Sequence, residues 1–317
     1  MNVLVTLNLT PEQKGELEKI MPGAVYVYGS GKDLTGEMVN EAEIILGSVP
    51  TRLLEGARRL KWIQLETAGS DHVQKILPKG VIVTNASGSY GGTMAEYMLG
   101  MLLFLQKNLH ICRANQMEGL WRSVPPGPRI EGAVVLVLGL GDIGGAFAKR
   151  MKALGAYIIG LRRTNNEAPV YVDELHLSDG TGAGLDELLP RADIIAMALP
   201  STAETRHILS RERIGILKES AFVINVGRGS AIDTEALCDA LYSGKIRGAG
   251  LDVTDPEPLP QGHRLWQAPN CLITPHVSGM GSENTTYEKI LALAFHNFRA
   301  FVSGGELKNV VDFARGY

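Results

Sequence analysis

Residues 134–164, VVLVLGLGDIGGAFAKRMKALGAYIIGLRRT, decide how this chain folds. An apolar run, Val134–Leu138, enters a turn that carries Gly139, Gly141 and Gly144 in G-x-G-x-x-G spacing. A helix-period pattern follows, and a second apolar strand closes the unit. Each glycine has a separate task. Gly139 permits the tight turn, Gly141 lets the backbone approach a pyrophosphate with no side chain in the way, and Gly144 lets the helix pack close to the sheet. Phosphates would rest on the helix's unpaired N–H groups. A G-x-G-x-x-G alone is weak evidence, because glycine-rich turns without ligands are common; here the strand before it and the helix after it point to a dinucleotide site.

Upstream, Val3–Leu7 reads as a strand and Thr10-Pro11-Glu12-Gln13 as a capping box with proline at the first helical position. Apolar runs recur at 24–28, 43–46, 60–65 and 81–84, separated by short helix or turn segments, so the first hundred residues are expected to form an α/β domain with a parallel sheet. From Gly91 to about Arg113 the pattern predicts one long helix, apolar on more than one face, which suits either a core helix or a connector that packs on a second subunit. Pro125, Pro126, Gly127 and Pro128 then interrupt all periodicity.

Downstream, an irregular stretch is expected to about Gly184, then a short helix at 185–189 and a strand at 193–199. Helical segments are expected at 204–209 and 211–217, strands at 221–226 and 248–253, a helix at 233–243 closed by Gly244, and a last strand at 272–274. Strand–helix alternation of this kind makes a doubly wound sheet. A final helix from Glu283 to Val302, stopped by Gly304 and Gly305, leaves the tail to return to the first domain.

At 317 residues two domains are expected, and a formal net charge of -3 gives no support to a nucleic-acid partner. Cys112, Cys238 and Cys271 are far apart, without metal-ligand spacing, and read as reduced thiols of a cytoplasmic protein. No signal peptide or membrane-spanning run is expected, hence no membrane partner, and no metal is expected.

Ligands of open α/β sheets bind beyond the carboxyl ends of the strands. Three such ends carry reactive types: Arg228 in NVGRGS, Asp252, Asp255 and Glu257 in DVTDPEP, and His276 in TPHVSG. Singly, each has a bland reading as a solvated charge, a turn carboxylate or a capping histidine. Together they are the set that redox chemistry on a 2-oxo acid needs: a guanidinium for the carboxylate, a proton donor for the carbonyl oxygen, and a carboxylate to keep the imidazole charged.

The ordered motifs GLGDIG, LPST, NVGRGS, DVTDPEPLP and TPHVSG, with LETAGSDH near residue 70, closely resemble the D-isomer-specific 2-hydroxyacid dehydrogenases over nearly the whole chain. The resemblance implies an α/β fold of two doubly wound parallel-sheet domains, a Rossmann dinucleotide-binding domain (99–285) inserted in a flavodoxin-like substrate domain (1–98 and 286–317). It implies an active site in the cleft and a homodimer. By motif matching, Arg228 would grip the substrate, His276 would be the acid/base and Glu257 its partner, with backbone N–H groups at Ala68 and Gly69 completing carboxylate binding. Gly139, Gly141, Asp142, Ile143, Gly144, Leu199, Pro200, Val226, Asp252 and Gly279 would line the cofactor, Asp252 near the nicotinamide. Val49, Pro50, Tyr90 and Met280 are candidates for the substrate side-chain pocket.

Glutamate at 257 disfavours the formate dehydrogenase branch. Two positions depart from the commonest family pattern: Ser70 stands where many members have valine, and no acidic residue follows the second strand. An NAD enzyme would keep Asp or Glu there for the ribose hydroxyls. This chain has Arg162, Arg163 and Thr164, which favours NADP(H) with NAD as the alternative; the competing reading is a pair of solvated arginines. The expected activity is hydride transfer between NADP(H) and a 2-oxo or D-2-hydroxy acid. Glyoxylate/hydroxypyruvate reductase and phosphoglycerate dehydrogenase are the alternatives, the latter disfavoured because no regulatory domain follows the tail. A dinucleotide-sensing corepressor is the rival from another class.

Overall fold

A computed structural model describes residues 1–164, 166–178, 182, 184–280 and 284–313. Part of the irregular stretch before Gly184, and Glu283, lie outside the described residues. The chain divides into two compact units, Met1–Tyr90 with Ser282–Tyr317, and Gly91–Gly281.

The first unit is built on five parallel strands: β1 (Asn2–Val5), β2 (Val25–Tyr28), β3 (Ile44–Leu46), β4 (Trp62–Gln64) and β5 (Ile82–Thr84). Their order is β2-β1-β3-β4-β5. The central strands are buried on both faces, as parallel sheets covered by helices must be. One face packs Leu4, Ile45, Ile63 and Val83; the other packs Val3, Val5, Ile44 and Trp62 with Ala294, Phe295 and Phe298 of the helix Asn284–Ser303. Trp62 stacks on Phe298 and Phe301. Asn297, fully buried, donates to Gln64 Oε1 at 2.8 Å and accepts from Lys308 N at 2.8 Å, so the tail is tied into the same core. The capping box is present: Thr10 Oγ1 accepts from Gln13 N at 3.3 Å and Gln13 Oε1 accepts from Thr10 N at 2.9 Å.

The second unit holds seven parallel strands: β6 (Val134–Leu138), β7 (Tyr157–Arg162), β8 (Glu174–Leu177), β9 (Ile194–Met197), β10 (Phe222–Asn225), β11 (Gly248–Leu251) and β12 (Cys271–Ile273). Their order is β12-β11-β10-β9-β6-β7-β8, which reverses direction between β6 and β9. That reversal is the switch point at which doubly wound sheets take their ligands.

Three expectations are corrected. β8 lies in the stretch expected to be irregular; its sequence ELHL is half polar because it is an edge strand, with no residue fully buried. The long helix expected from 91 to 113 is two helices, Gly91–Gln106 and Leu109–Met117. Asn108 breaks it by adopting a left-handed backbone (φ 55°), which asparagine tolerates better than most residues, while its amide donates to Pro125 O at 2.9 Å. Residues 204–209 form turns rather than a helix, knotted by Thr202 and Thr205, whose hydroxyls bond each other's backbone N–H.

Candidate active site

The glycine turn is sterically determined. Gly139 has φ +91°, and a Cβ there would lie 2.7 Å from Ala198 O at the end of β9. A Cβ on Gly144 would lie 2.1 Å from Gly139 O, so the helix Asp142–Ala153 can approach the strand only through glycine. Gly141, at the N-cap, would place a Cβ in open space. That open side at a helix N-terminus suits a pyrophosphate. Ile143 is half-buried, and the Asp142 carboxylate accepts Gly91 N at 2.8 Å, at the first residue of the helix Gly91–Gln106. A Cβ on Gly91 would lie 2.4 Å from that carboxylate.

At the end of β7, the Arg162 guanidinium donates to Glu167 O, and its Nε is buried with no acceptor among the described residues. Arg163 Nη1 lies 3.7 Å from Glu204 Oε2, and Thr164 is exposed. Arg162 and Arg163 thus stand at successive positions at the carboxyl end of β7, and a buried guanidinium nitrogen with no acceptor is a costly feature in a finished core.

The loops after β10, β11 and β12 are joined to one another. Gly227 and Gly229 flank Arg228 because backbone packs against both: a Cβ on Gly227 would lie 2.6 Å from Leu199 N and O, and one on Gly229 would lie 2.0 Å from Thr254 O. Arg228 Nη1 donates to Gly227 O at 2.8 Å, and Asn225 Nδ2 donates to Arg228 O at 2.9 Å. The loop after β11 therefore abuts the Arg228 turn, and it is bonded in turn to the loop after β12. Asp252, 1% exposed, accepts from Thr274 Oγ1 at 2.6 Å and from Val277 N and Ser278 N at 2.9 Å each, while its carbonyl accepts His276 N at 2.8 Å. Those bonds hold His276 in a left-handed backbone (φ 54°) that costs a non-glycine residue about 1–2 kcal/mol. His276 Nδ1 and Glu257 Oε1 are 2.7 Å apart, leaving Nε2 as the outward nitrogen. Of the other candidates in this unit, Val226 is buried, Leu199, Pro200 and Gly279 are half-buried, and Met280 is exposed.

In the first unit, the loop that leaves β4 is fixed by its carbonyls. Asn85 Nδ2 donates to Ala68 O at 2.8 Å, Thr67 Oγ1 to Gly69 O at 2.7 Å, and Tyr90 Oη to Glu66 O at 2.6 Å. Ser70 is buried, and Val49 and Pro50 follow β3. Burial, reinforced by the Glu66 charge, pushes the Tyr90 phenol up to about 12. Two residues escaped the sequence reading. Glu66 opens the LETAGSDH loop with a carboxylate at a strand end, a visible signal; Glu204 faces Arg163 from a segment read as helix, where nothing in sequence pairs them.

Among the described residues no group of three His, Cys, Asp or Glu could hold a metal ion, and no helix is long and apolar enough to cross a membrane. The family model for the NAD-binding domain of D-isomer specific 2-hydroxyacid dehydrogenases matches residues 99–278. A glyoxylate reductase from Thermofilum pendens is 31% identical over 82% of this chain and 77% of its own length. Among solved structures, a D-isomer specific 2-hydroxyacid dehydrogenase family protein from Aeromonas salmonicida superposes with a TM-score of 0.85 at 30% identity, covering 98% of this chain and 99% of its own. An NADPH-dependent glyoxylate/hydroxypyruvate reductase from Sinorhizobium meliloti, in complex with NADP and sulfate, gives 0.79 at 27% identity, covering 100% and 99%.

Proposed function

This chain belongs to the D-isomer specific 2-hydroxyacid dehydrogenases, NAD(P)-dependent oxidoreductases, and from that premise we propose that it reduces 2-oxo acids to D-2-hydroxy acids with NADPH as the favoured donor. The observation that carries the reading is the 2.7 Å contact between His276 Nδ1 and Glu257, which joins the loop after β12 to the loop after β11 that abuts the Arg228 turn.

The glycine turn would hold a nicotinamide dinucleotide, which would supply the hydride for C2 of the substrate. Arg228 holds the substrate's carboxylate, and a guanidinium suits that task because its planar fork can donate twice to one carboxylate. Protonated His276 gives its Nε2 proton to the carbonyl oxygen, and Glu257 fixes the imidazole's orientation through Nδ1. In the reverse direction the same nitrogen takes the hydroxyl proton. Ala68 and Gly69 are assigned to the carboxylate by family resemblance. Gly139, Gly141 and Gly144 accommodate the pyrophosphate, and Arg162, Arg163 and Thr164 the 2′-phosphate; the Sinorhizobium reductase bound to NADP supports a phosphorylated cofactor in a relative.

A homodimer completes the reading. It is supported by the apolar side chains left exposed along and after the helix Leu109–Met117, where Leu109, Ile111, Met117, Leu120 and Trp121 face solvent, Trp121 entirely. Sedimentation should give the mass of two chains, and the mass of one would remove this part of the proposal.

The test of function is NADPH oxidation against 2-oxo acids from glyoxylate to phenylpyruvate. Turnover with at least one is expected, and His276→Asn should lower its kcat by roughly 10² to 10⁴. No turnover across the panel would favour a dinucleotide-sensing role instead.

A further inference from the structure

Beyond the carboxyl ends of three adjacent strands of the first sheet, a small hydrogen-bonded cluster forms around Glu66. Ser48, which follows β3, donates its backbone N–H to Glu66 Oε2 at 3.0 Å. Tyr287 places its hydroxyl 3.5 Å from Glu66 Oε1, and that hydroxyl accepts Asn8 N, from the segment after β1, at 2.6 Å. Tyr90 donates to the Glu66 carbonyl. The carboxylate is half-buried and is held on both oxygens, by the Ser48 backbone N–H on one and by the Tyr287 hydroxyl on the other. Carboxylates offer about four lone-pair sites, and these two contacts leave capacity for a further donor. Burial, with the Glu66 charge adding to it, pushes the Tyr287 phenol up to about 12, as it does Tyr90; both remain neutral hydroxyls that leave Glu66 the only negative group in the cluster as described.

Glu66 directly precedes the loop 67–70, and Ala68 and Gly69 lie two and three residues further on. We propose that Glu66 selects the substituent at C3 of the 2-oxo acid: it accepts a neutral or cationic hydrogen-bond donor, such as a hydroxyl or ammonium group, and excludes a second anion such as a phosphate or carboxylate. This rests on the assignment of the loop to substrate binding. The physical basis is Coulombic. A fixed negative charge within several ångströms of a phosphate repels it strongly where solvent is partly displaced, while a hydroxyl at the same place donates to it.

The test compares hydroxypyruvate with 3-phosphohydroxypyruvate, which differ at C3 by the phosphate alone, at saturating NADPH. In the wild type kcat/KM should favour hydroxypyruvate by at least about tenfold. Glu66→Gln keeps an oxygen for Ser48 N–H and removes the charge; the ratio should fall roughly tenfold, chiefly through KM for the phosphorylated substrate, with KM for NADPH unchanged. Glu66→Asp keeps the charge and should retain most of the selectivity. In the wild type alone, rising salt should erode the ratio. If both substrates are reduced and the ratio is the same in wild type and Glu66→Gln, or is indifferent to salt, Glu66 is not the selector. If the wild type reduces no 2-oxo acid at all, the activity itself has failed, which is a different result.

Discussion

The loop after β12 and the loop after β7 both carry residues of the proposed chemistry at the carboxyl edge of one sheet, and they are held in opposite ways. Around His276 the main chain is fixed by a buried carboxylate: Asp252 engages Thr274, Val277 and Ser278 through its side chain and His276 through its carbonyl. After β7 the side chains themselves make the contacts, and they make them near the surface. Arg162 reaches Glu167 O, and Arg163 lies 3.7 Å from Glu204 with the two side chains 31% and 52% exposed. Exposed ion pairs contribute about 0–1 kcal/mol and exchange readily, whereas an unmade buried bond costs about 1–3 kcal/mol. On the proposed reading His276 is therefore positioned before any substrate arrives, while Arg162 and Arg163 would have to release contacts within their own surroundings to bind a 2′-phosphate.

Among substitutions that act through the bonds holding these two loops, the larger effect is expected at Asp252. Asp252→Asn preserves shape but turns one acceptor into a donor that faces a backbone N–H, either Val277 N or Ser278 N. One buried donor is then unsatisfied, at about 1–3 kcal/mol, and the left-handed turn at His276 loses part of its support. Thermal melting should fall, and kcat for 2-oxo acid reduction should drop by roughly 10- to 100-fold, since small misplacements of a reacting group are that costly. NADPH affinity, measured by fluorescence titration, should change far less. A parallel loss of NADPH affinity would assign the Asp252 carboxylate to the nicotinamide, as the family resemblance implies, and would break the contrast between the two loops.

How much of this was readable beforehand follows from which forces are local. The glycine turn is legible because two of its constraints are local: Gly139 adopts a positive φ, and Gly144 must pass within contact of Gly139 O. The glycines beside Arg228 were readable only as a motif, since their cause is packing against Leu199 and Thr254 from other loops. β8 escaped because a half-exposed edge strand has no apolar run, and the break at Asn108 escaped because the residues on both sides keep helical periodicity. The bond of the Asp142 carboxylate to Gly91 N, far upstream in the chain, has no trace in the local pattern. The contacts of Glu66 are likewise long-range, since its carboxylate meets Ser48 after β3 and Tyr287 of the C-terminal helix.

The smaller effect, and the one that sharpens the comparison, is at Arg162. A charge-assisted bond to a 2′-phosphate contributes about 1.5–3 kcal/mol, and two arginines at the lower limit give about 3 kcal/mol. Releasing the Glu167 carbonyl and the Glu204 carboxylate takes back about 1 kcal/mol at surface exposure. The net, about 2 kcal/mol, corresponds to a preference for NADPH over NADH of roughly 30-fold in kcat/KM at low salt. It should shrink as ionic strength rises, because both groups lie within reach of screening ions. Arg162→Asp removes one cation and restores an acceptor for the ribose hydroxyls, so the preference should invert in favour of NADH. The 2-oxo acid KM should stay the same, since no buried bond of the His276 loop involves this residue. Equal use of NADH and NADPH by the wild type at low salt would mean that the arginines serve only their own loop, and the exchangeable contacts after β7 would then be structure rather than recognition.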